Sequence, residues 1–448
     1  MMKITEDLTK GTIRNQLILL ALPLIWGNIF QQLYNTIDAF MIGRYVGHTA
    51  FAAIGVSGSI MNLFIFVISG GCNGISIIFA ELYGEKNWNM LRRESFLSFT
   101  FGFMVTVGIA IAGLLTLSPL LNVIQTPTEV QSFVQDYLRI IYLGLPAAFL
   151  YNWCSAILRG AGDTRTSLWI LVTAMVLNFV LDYVFVVFCD AGISGAAAAT
   201  VIAQLFASIV CFGYMRWRHP YLLFGRKDIA FDRRLLMKTA NYGIVSALHQ
   251  SSLYIGKLLV QGAVNTAGTE VISAYTASMR IEGFANSFGD SGSTAISVFV
   301  AQNKGAGEHE RMRQGFQKGA GIMIVLGICL SVIMILLTPG AVTLLMGDVS
   351  DGLAENAEAY VRIIAVFYVL CFLGNSFVGL YRGLGMVHVP VLGTVLHISV
   401  RVIGSYLLIG KMGLGAVAVS TGIGWAAVVT FQAVLYKKKV RAEIKNIL

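Results

Sequence analysis

The chain has 448 residues, of which 56% are hydrophobic and only 12% charged, and its formal net charge is +9. Ordinary soluble domains carry about 25% charged residues, because roughly half of their surface must face water. A chain this apolar is not a soluble enzyme, a disordered protein or a secreted disulfide scaffold; it reads as a polytopic membrane protein.

Apolar segments fall at 15–41, 50–80, 95–118, 132–156, 165–188, 193–215, 239–262, 271–300, 319–338, 356–380, 389–410 and 413–436. All are far longer than the about 9–11 residues of a barrel strand and reach the about 20 residues of a helical span. The expected fold is therefore all-α, with twelve transmembrane helices. The first run follows charges that end at Arg14 and carries Pro23, Asn28, Gln31 and Gln32 with no small-residue cleavage site after it. It reads as a span and not as a signal peptide.

With the N-terminus placed inside, the inner segments hold 25 of the 32 Lys and Arg, and the outer loops hold only Arg44 and Lys411. The positive-inside rule then puts both termini in the cytoplasm. It also accounts for the net charge without a nucleic-acid partner. The six cysteines show no C-x-x-C spacing and read as small hydrophobes, neither metal ligands nor disulfides.

The sequence repeats itself at an offset of 220 to 223. Leu33-Tyr34 meets Leu253-Tyr254, Ser118-Pro119 meets Thr338-Pro339, and Ala80-x-x-x-Gly84 meets Ala301-x-x-x-Gly305. Tyr137-Leu-Arg-Ile-Ile141 meets Tyr360-Val-Arg-Ile-Ile364, and Arg159-Gly-Ala-Gly162 meets Arg382-Gly-Leu-Gly385. A duplicated six-span unit has an even span number, so both copies keep one orientation. The expected architecture is two six-helix lobes, 1–215 and 239–448, joined by a basic cytoplasmic linker at 216–238. A pseudo-twofold axis along the membrane normal would relate the lobes, with a cavity between them.

Features present in both copies are expected to be scaffold. Arg139 with Asp136 and Arg362 with Glu358 have helical ion-pair spacing. The Arg-Gly-x-Gly turns follow no strand, so they are not a phosphate-binding fingerprint. Ser251 and Ser405 stand where a Walker A motif ending at Gly256-Lys257 or Gly410-Lys411 would need its first glycine. The chain carries no ATPase of its own. With no metal-ligand cluster and no nucleophile–base motif, it does not read as an enzyme.

Ionisable groups inside spans are expensive and are functional candidates by default. Span one presents Gln31, Tyr34, Asn35 and Asp38 at i, i+3, i+4 and i+7, one polar face. Span five presents Asn178 and Asp182 at i, i+4, and Thr200 of span six sits at a similar depth. Neither acid is repeated: Leu258 matches Asp38, Ser405 matches Asp182, and Arg401 matches Asn178. Paired carboxylates in a low dielectric hold a proton or recruit a cation. Asn178 and Thr200 add neutral oxygens of the kind a hard cation such as Na⁺ accepts. The second half carries Lys257, Arg280, Glu282, Asp290 and Arg401, with Gln250 and Tyr254 on the Lys257 face. These charges read either as a self-neutralising ion-pair network or as a contact for an anionic substrate group. His249 and His397 read as structural hydrogen-bonding residues. Pro23 is the expected hinge of span one, since proline removes a helical backbone bond.

Together the twelve spans, the duplication, Ala301-Gln-Asn-Lys-Gly-Ala-Gly307 followed by Arg313, and the two Arg-Gly-x-Gly turns resemble the multidrug and toxic compound extrusion (MATE) family. The resemblance implies two six-helix lobes in a V and export of amphipathic organic compounds, often cationic, driven by Na⁺ or H⁺ entry. Asp38, Asn178-Phe-Val-Leu-Asp182 and Thr200 are similar to the first-lobe cation site of the prokaryotic DinF-type branch. The substrate cavity is then expected to involve Gln31, Tyr34, Asn35, Gln250, Tyr254, Lys257, Arg280, Glu282 and Arg401. The coupling ion, Na⁺ or H⁺, is the only cofactor implied. The partners are a small organic molecule and membrane lipid, the protein is a monomer, and it lies in a bacterial or archaeal cytoplasmic membrane. The competing expectation is a flippase for lipid-linked saccharides, which shares this architecture in related families.

Overall fold

The computed structural model describes residues 7–346 and 351–440. Lys3 and the basic residues from Arg441 onward, which enter the charge asymmetry, lie outside them. Among the described residues the protein is all-helical, with no strand. In chain order the helices are α1 Ile13–Tyr45, α2 His48–Gly84, α3 Trp88–Val123, α4 Thr128–Gly160, α5 Thr164–Asp182, α6 Gly192–Arg218, α7 Arg233–Asn265, α8 Thr269–Gly305, α9 His309–Met346, α10 Asp351–Gly383, α11 His388–Met412 and α12 Gly415–Leu435. The linker between α6 and α7 holds two short 3₁₀ turns, Pro220–Leu222 and Arg226–Asp228.

Ten of the twelve are long and apolar enough to cross a membrane. The two that miss that measure are α7 and α8. They carry the second-half charges Lys257, Arg280, Glu282 and Asp290 along with many Ser and Gly residues. Several helices run past the apolar segments. A helix of 37 residues such as α2 is about 55 Å long at 1.5 Å per residue, against an about 30 Å hydrocarbon core. The excess carries polar residues such as Glu81, and Glu85 caps the end.

The chain forms two compact units. One contains Met1–Asp7 and Trp26–Ala247, the other Leu8–Ile25 and Leu248–Leu448. These divisions differ from the lobes expected at 215 and 239. The first part of α1 groups with the second unit, and the first part of α7 groups with the first. In the second unit Leu8 donates its backbone N–H to Gln302 Oε1 at 3.3 Å, and its carbonyl accepts from Asn303 Nδ2 at 3.3 Å and Arg311 Nε at 3.0 Å. Arg311 also donates to the Gly11 carbonyl at 2.9 Å and to Gln16 Oε1 at 2.7 Å. In the first unit Lys238 Nζ donates to Glu81 Oε2 at 2.8 Å, and Thr239 Oγ1 donates to the buried Glu94 carboxylate at 2.8 and 2.9 Å. Gly74 leaves no room for a Cβ against the Tyr242 carbonyl, so α7 packs tightly on α2 there. Position 81, after Ala80, and position 302, after Ala301, thus do the same job in the two copies: each fixes the start of a helix whose remainder belongs to the other unit.

The Arg-Gly-x-Gly turns are scaffold, as their duplication implies. Gly160 has no space for a side chain against α2 near the Ser76 carbonyl, and Gly383 none against α8 near the Ser297 carbonyl. The second glycines, Gly162 and Gly385, hold φ of +85° and +84°, a left-handed geometry that a Cβ disfavours. The matched ion pairs form as expected, Arg139–Asp136 at 4.0 Å and Arg362–Glu358 at 2.9 Å.

Candidate functional site: a paired carboxyl station in the first unit

Asp38 reaches the site from α1, Asn178 and Asp182 from α5, and Thr200 from α6. Asp163 starts α5 by accepting the Thr166 N–H at 3.0 Å, an N-cap. From there the i, i+4 spacing of Asn178 and Asp182 aims both side chains to one side. Immediately after Asp182 the helix widens into a π turn, Tyr183–Phe188. Such turns are common at functional sites. Asn178, Asp182 and Thr200 are buried and Asp38 is half-buried.

Asn178 is the centre. With its amide oriented to satisfy its neighbours, Nδ2 donates to Asp38 Oδ1 at 3.2 Å and to Asp182 Oδ2 at 2.9 Å, and Oδ1 accepts the Thr200 backbone N–H at 3.1 Å. In this orientation the amide presents its nitrogen to the acids, because a donor relieves two acceptors. The Tyr34 and Thr200 hydroxyls lie 3.1 Å apart. The two carboxyls share the Asn178 amide and act on each other electrostatically. Asp182 Oδ1 is buried and takes no hydrogen bond. Carboxyls this close keep their separation only with a proton or a cation between them. The oxygens available to such a cation are the two carboxyls and the Tyr34 and Thr200 hydroxyls.

One residue of this station escaped the sequence reading. Tyr137 of α4 is buried, within hydrogen-bonding reach of Thr200 and in electrostatic range of both acids. Its match to Tyr360 had marked it as scaffold. The signal lay in the type of residue repeated, a polar tyrosine inside an apolar run.

The remaining candidates divide by burial. Gln31 is exposed, Gln250 and Tyr254 are half-buried, and the side chain of Asn35 lies outside those described. In the second unit Glu282 and Arg401 are buried, whereas Lys257, Arg280 and Asp290 are exposed. Among the described residues the expected self-neutralising ion-pair network does not close at contact distance around Lys257. Glu282, Arg401 and Asp290 act on it through space. The carboxylate of Glu282 accepts instead from the Tyr360 hydroxyl. His249 is a structural residue, its Nδ1 2.9 Å from Arg382 Nη2, and His397 stacks on Trp425 at 6.0 Å. Pro23 is buried in α1, three residues before the boundary between units at Trp26.

The MatE family model matches the chain twice, over residues 23–184 and 246–407. The chain belongs to the MATE family of multidrug efflux transporters. The two matches are offset by 223 residues, within the 220–223 offset of the internal repeat, so the family model matches each copy once, over its first five helices. The chain is 28% identical over 334 residues to the probable multidrug resistance protein YoeA of Bacillus subtilis, covering 72% of each chain. It is 27% identical over 428 residues to the probable multidrug resistance protein YpnP of the same organism, covering 93% of each. A crystal structure of MATE in the bent conformation has the same fold, with a TM-score of 0.91 at 21% identity over 100% of this chain and 99% of the other. MATE proteins are multi-pass membrane transporters, in keeping with the helix lengths seen here.

Proposed function

We propose that this MATE transporter is a secondary antiporter that exports amphipathic organic compounds, cationic ones among them, in exchange for a monovalent cation, Na⁺ or H⁺. The cation is taken at Asp38 and Asp182 of the first unit, with Tyr34 and Thr200 beside them and Asn178 holding the acids apart. It acts in a prokaryotic cytoplasmic membrane as a monomer, with both termini inside, as the 25-to-2 distribution of Lys and Arg supports. Alternating access follows from occupancy. A bound cation removes the repulsion between the two carboxyls and shifts the equilibrium between inward and outward states, as far as its differential affinity for them allows.

The observation that carries this reading is the buried Asp182 carboxyl, which shares the Asn178 amide with Asp38 through Oδ2 while its Oδ1 takes no hydrogen bond. The test is efflux of a fluorescent organic cation from proteoliposomes under an imposed Na⁺ gradient, a pH gradient, or neither. Export driven by one gradient and lost in both Asp38→Asn and Asp182→Asn is the expected result. Export indifferent to both gradients would overturn the coupling.

A further inference from the structure

In the first unit, beside the linker that leads from α6 to α7, three aromatic side chains and an arginine line a surface cavity of about 420 Å³. Tyr83 comes from the last turn of α2, Trp88 and Arg92 from the first turns of α3, and Tyr221 from the first 3₁₀ turn of the linker. Trp88 stands edge-on to both tyrosines. Its ring centroid is 5.4 Å from that of Tyr83 at 80°, and 5.3 Å from that of Tyr221 at 78°. The Tyr221 hydroxyl lies 3.1 Å from His219 Nδ1. Arg92 is the fourth wall. Its Nε donates to Asp228 Oδ1 at 3.2 Å and its Nη2 to Asn89 Oδ1 at 2.7 Å. A guanidinium has five N–H donors, so these bonds leave Nη1 to spare, and the side chain is 29% exposed.

The lining sits at the level of lipid headgroups. Tyr83 follows the apolar run 50–80 by three residues, and Arg92 precedes the run 95–118 by three. At 1.5 Å per residue each is about 4.5 Å beyond the hydrocarbon, within a headgroup layer about 5–8 Å deep. Trp and Tyr are enriched at that level. On either side of Tyr221 the chain exposes Trp217, Ile229 and Phe231, at 81%, 56% and 75%, large apolar groups that gain by leaving water. The same stretch, 216–238, carries seven Lys and Arg against two Asp. Lys86 and Arg93 add exposed positive charge from the α2–α3 turn and from α3, and Asp228 is already paired with Arg92. An organic cation entering the cavity would meet a guanidinium. A phosphate would meet its remaining N–H groups, with aromatic faces on the other sides. Basic pockets at a membrane surface suit anionic headgroups.

We propose that this cavity binds the headgroup of an anionic phospholipid, with the Arg92 guanidinium on the phosphate and the three rings around the glycerol. With both termini inside, as proposed above, the lipid belongs to the inner leaflet. The site is independent of the coupling ion and of the paired carboxyls.

Native mass spectrometry of the purified protein gives dissociation constants for phosphatidylglycerol and phosphatidylcholine with the same acyl chains. Wild type should prefer phosphatidylglycerol. Arg92→Gln should weaken phosphatidylglycerol by about tenfold, equal to about 1.4 kcal/mol, and erase the preference. Trp88→Ala should weaken it with no change in charge. Lys318→Gln, which removes an exposed positive group from the second unit, should leave both constants alone. Unchanged affinity in Arg92→Gln or in Trp88→Ala overturns the proposal. So does equal or tighter binding of phosphatidylcholine to wild type, the latter being the mark of a cation cage. An equal loss in Arg92→Gln and Lys318→Gln would show a diffuse basic face and overturn it too. Glycerol 3-phosphate is the third ligand. If it displaces the lipid at matching concentration, the occupant is a soluble phosphate ester and the lipid assignment falls. Should Arg92→Gln not be recovered folded, Arg92→Gln/Asp228→Asn leaves neither partner of that pair charged and takes its place. A phosphatidylglycerol preference that persists in the double variant overturns the proposal in the same way.

Discussion

The amide nitrogen of Asn178 stands 2.9 Å from Asp182 Oδ2 and 3.2 Å from Asp38 Oδ1, so one neutral side chain holds two acids that would otherwise repel. Its own carbonyl is occupied by the Thr200 N–H. This three-way link ties α1, α5 and α6 together at the two acids proposed to take the cation.

Removing the link is the first prediction. Asn178→Ala leaves both acids without their shared donor, and a hydrogen bond to a charged group contributes about 1.5–3 kcal/mol. The variant should melt at a lower temperature than wild type and lose most of its gradient-driven export. Asn178→Asp should be worse for transport, since it adds a third acid. Wild-type export by Asn178→Ala would show that the amide is only a spacer.

The acids themselves give the second. Asp38→Asn and Asp182→Asn should each abolish coupled export while the protein still inserts and purifies as a folded species. Flux and circular dichroism on one preparation check both halves. Normal export in the two single variants would remove the station from the mechanism.

Pro23 lies on the helix that carries Asp38, 15 residues before it, and three residues before the chain passes from one unit to the other at Trp26. The backbone bond lost to proline makes bending cheapest there. Pro23→Ala should slow turnover while leaving equilibrium substrate affinity within about threefold, under 1 kcal/mol. Substrate binding and flux measured on the same protein separate the two effects, and unchanged turnover would make the proline a packing feature.

Lys257 is reached by solvent but surrounded by charge. Glu282, Arg401 and Asp290 act on it through space, and among the described residues it makes no ion pair at contact distance. Lys257→Met should therefore lower stability by less than the about 3–5 kcal/mol of breaking a buried contact pair. A large fall in melting temperature would mean that Lys257 closes an ion pair after all.

The linker predicts a pH effect. Asp228 Oδ2 accepts the Gly225 N–H at 2.9 Å, and Oδ1 accepts from Arg92 Nε at 3.2 Å. Burial pushes its carboxyl up, but the Gly225 N–H and Arg92 outweigh that and hold it below its ordinary value. A depressed carboxyl stabilises the folded linker above its unfolded value of about 3.9 and loses that contribution as pH falls through the folded one. The protection of the amides across 225–230, their exchange rate relative to the intrinsic rate at each pH, should hold at neutral pH and fall only in acid. Asp228→Asn should speed exchange at neutral pH by up to about fivefold, since a partly exposed pair contributes about 1 kcal/mol at most. An exchange rate independent of the substitution would leave the linker held by its 3₁₀ turns alone.

The sequence by itself determined the membrane class, twelve long helices, the duplication and the polar residues worth testing, because hydrophobic length, charge asymmetry and internal offsets are properties of one dimension. It also picked out Asp38, Asn178, Asp182 and Thr200, because polar groups in apolar runs stand out against their neighbours. Only the tertiary structure decided that Asn178 lies between both acids and the Thr200 backbone, that Tyr137 joins the station, and that the Glu282 carboxylate accepts from Tyr360 instead of closing a contact ion pair with Lys257 or Arg401. Those depend on which atoms meet across helices distant in sequence. The unit boundaries at Trp26 and Leu248 were illegible for the same reason. Composition does not change inside α1 or α7. What assigns the start of each helix to its unit is a handful of hydrogen bonds, from Gln302, Asn303 and Arg311 to Leu8–Gln16, and between Glu81, Glu94, Lys238 and Thr239.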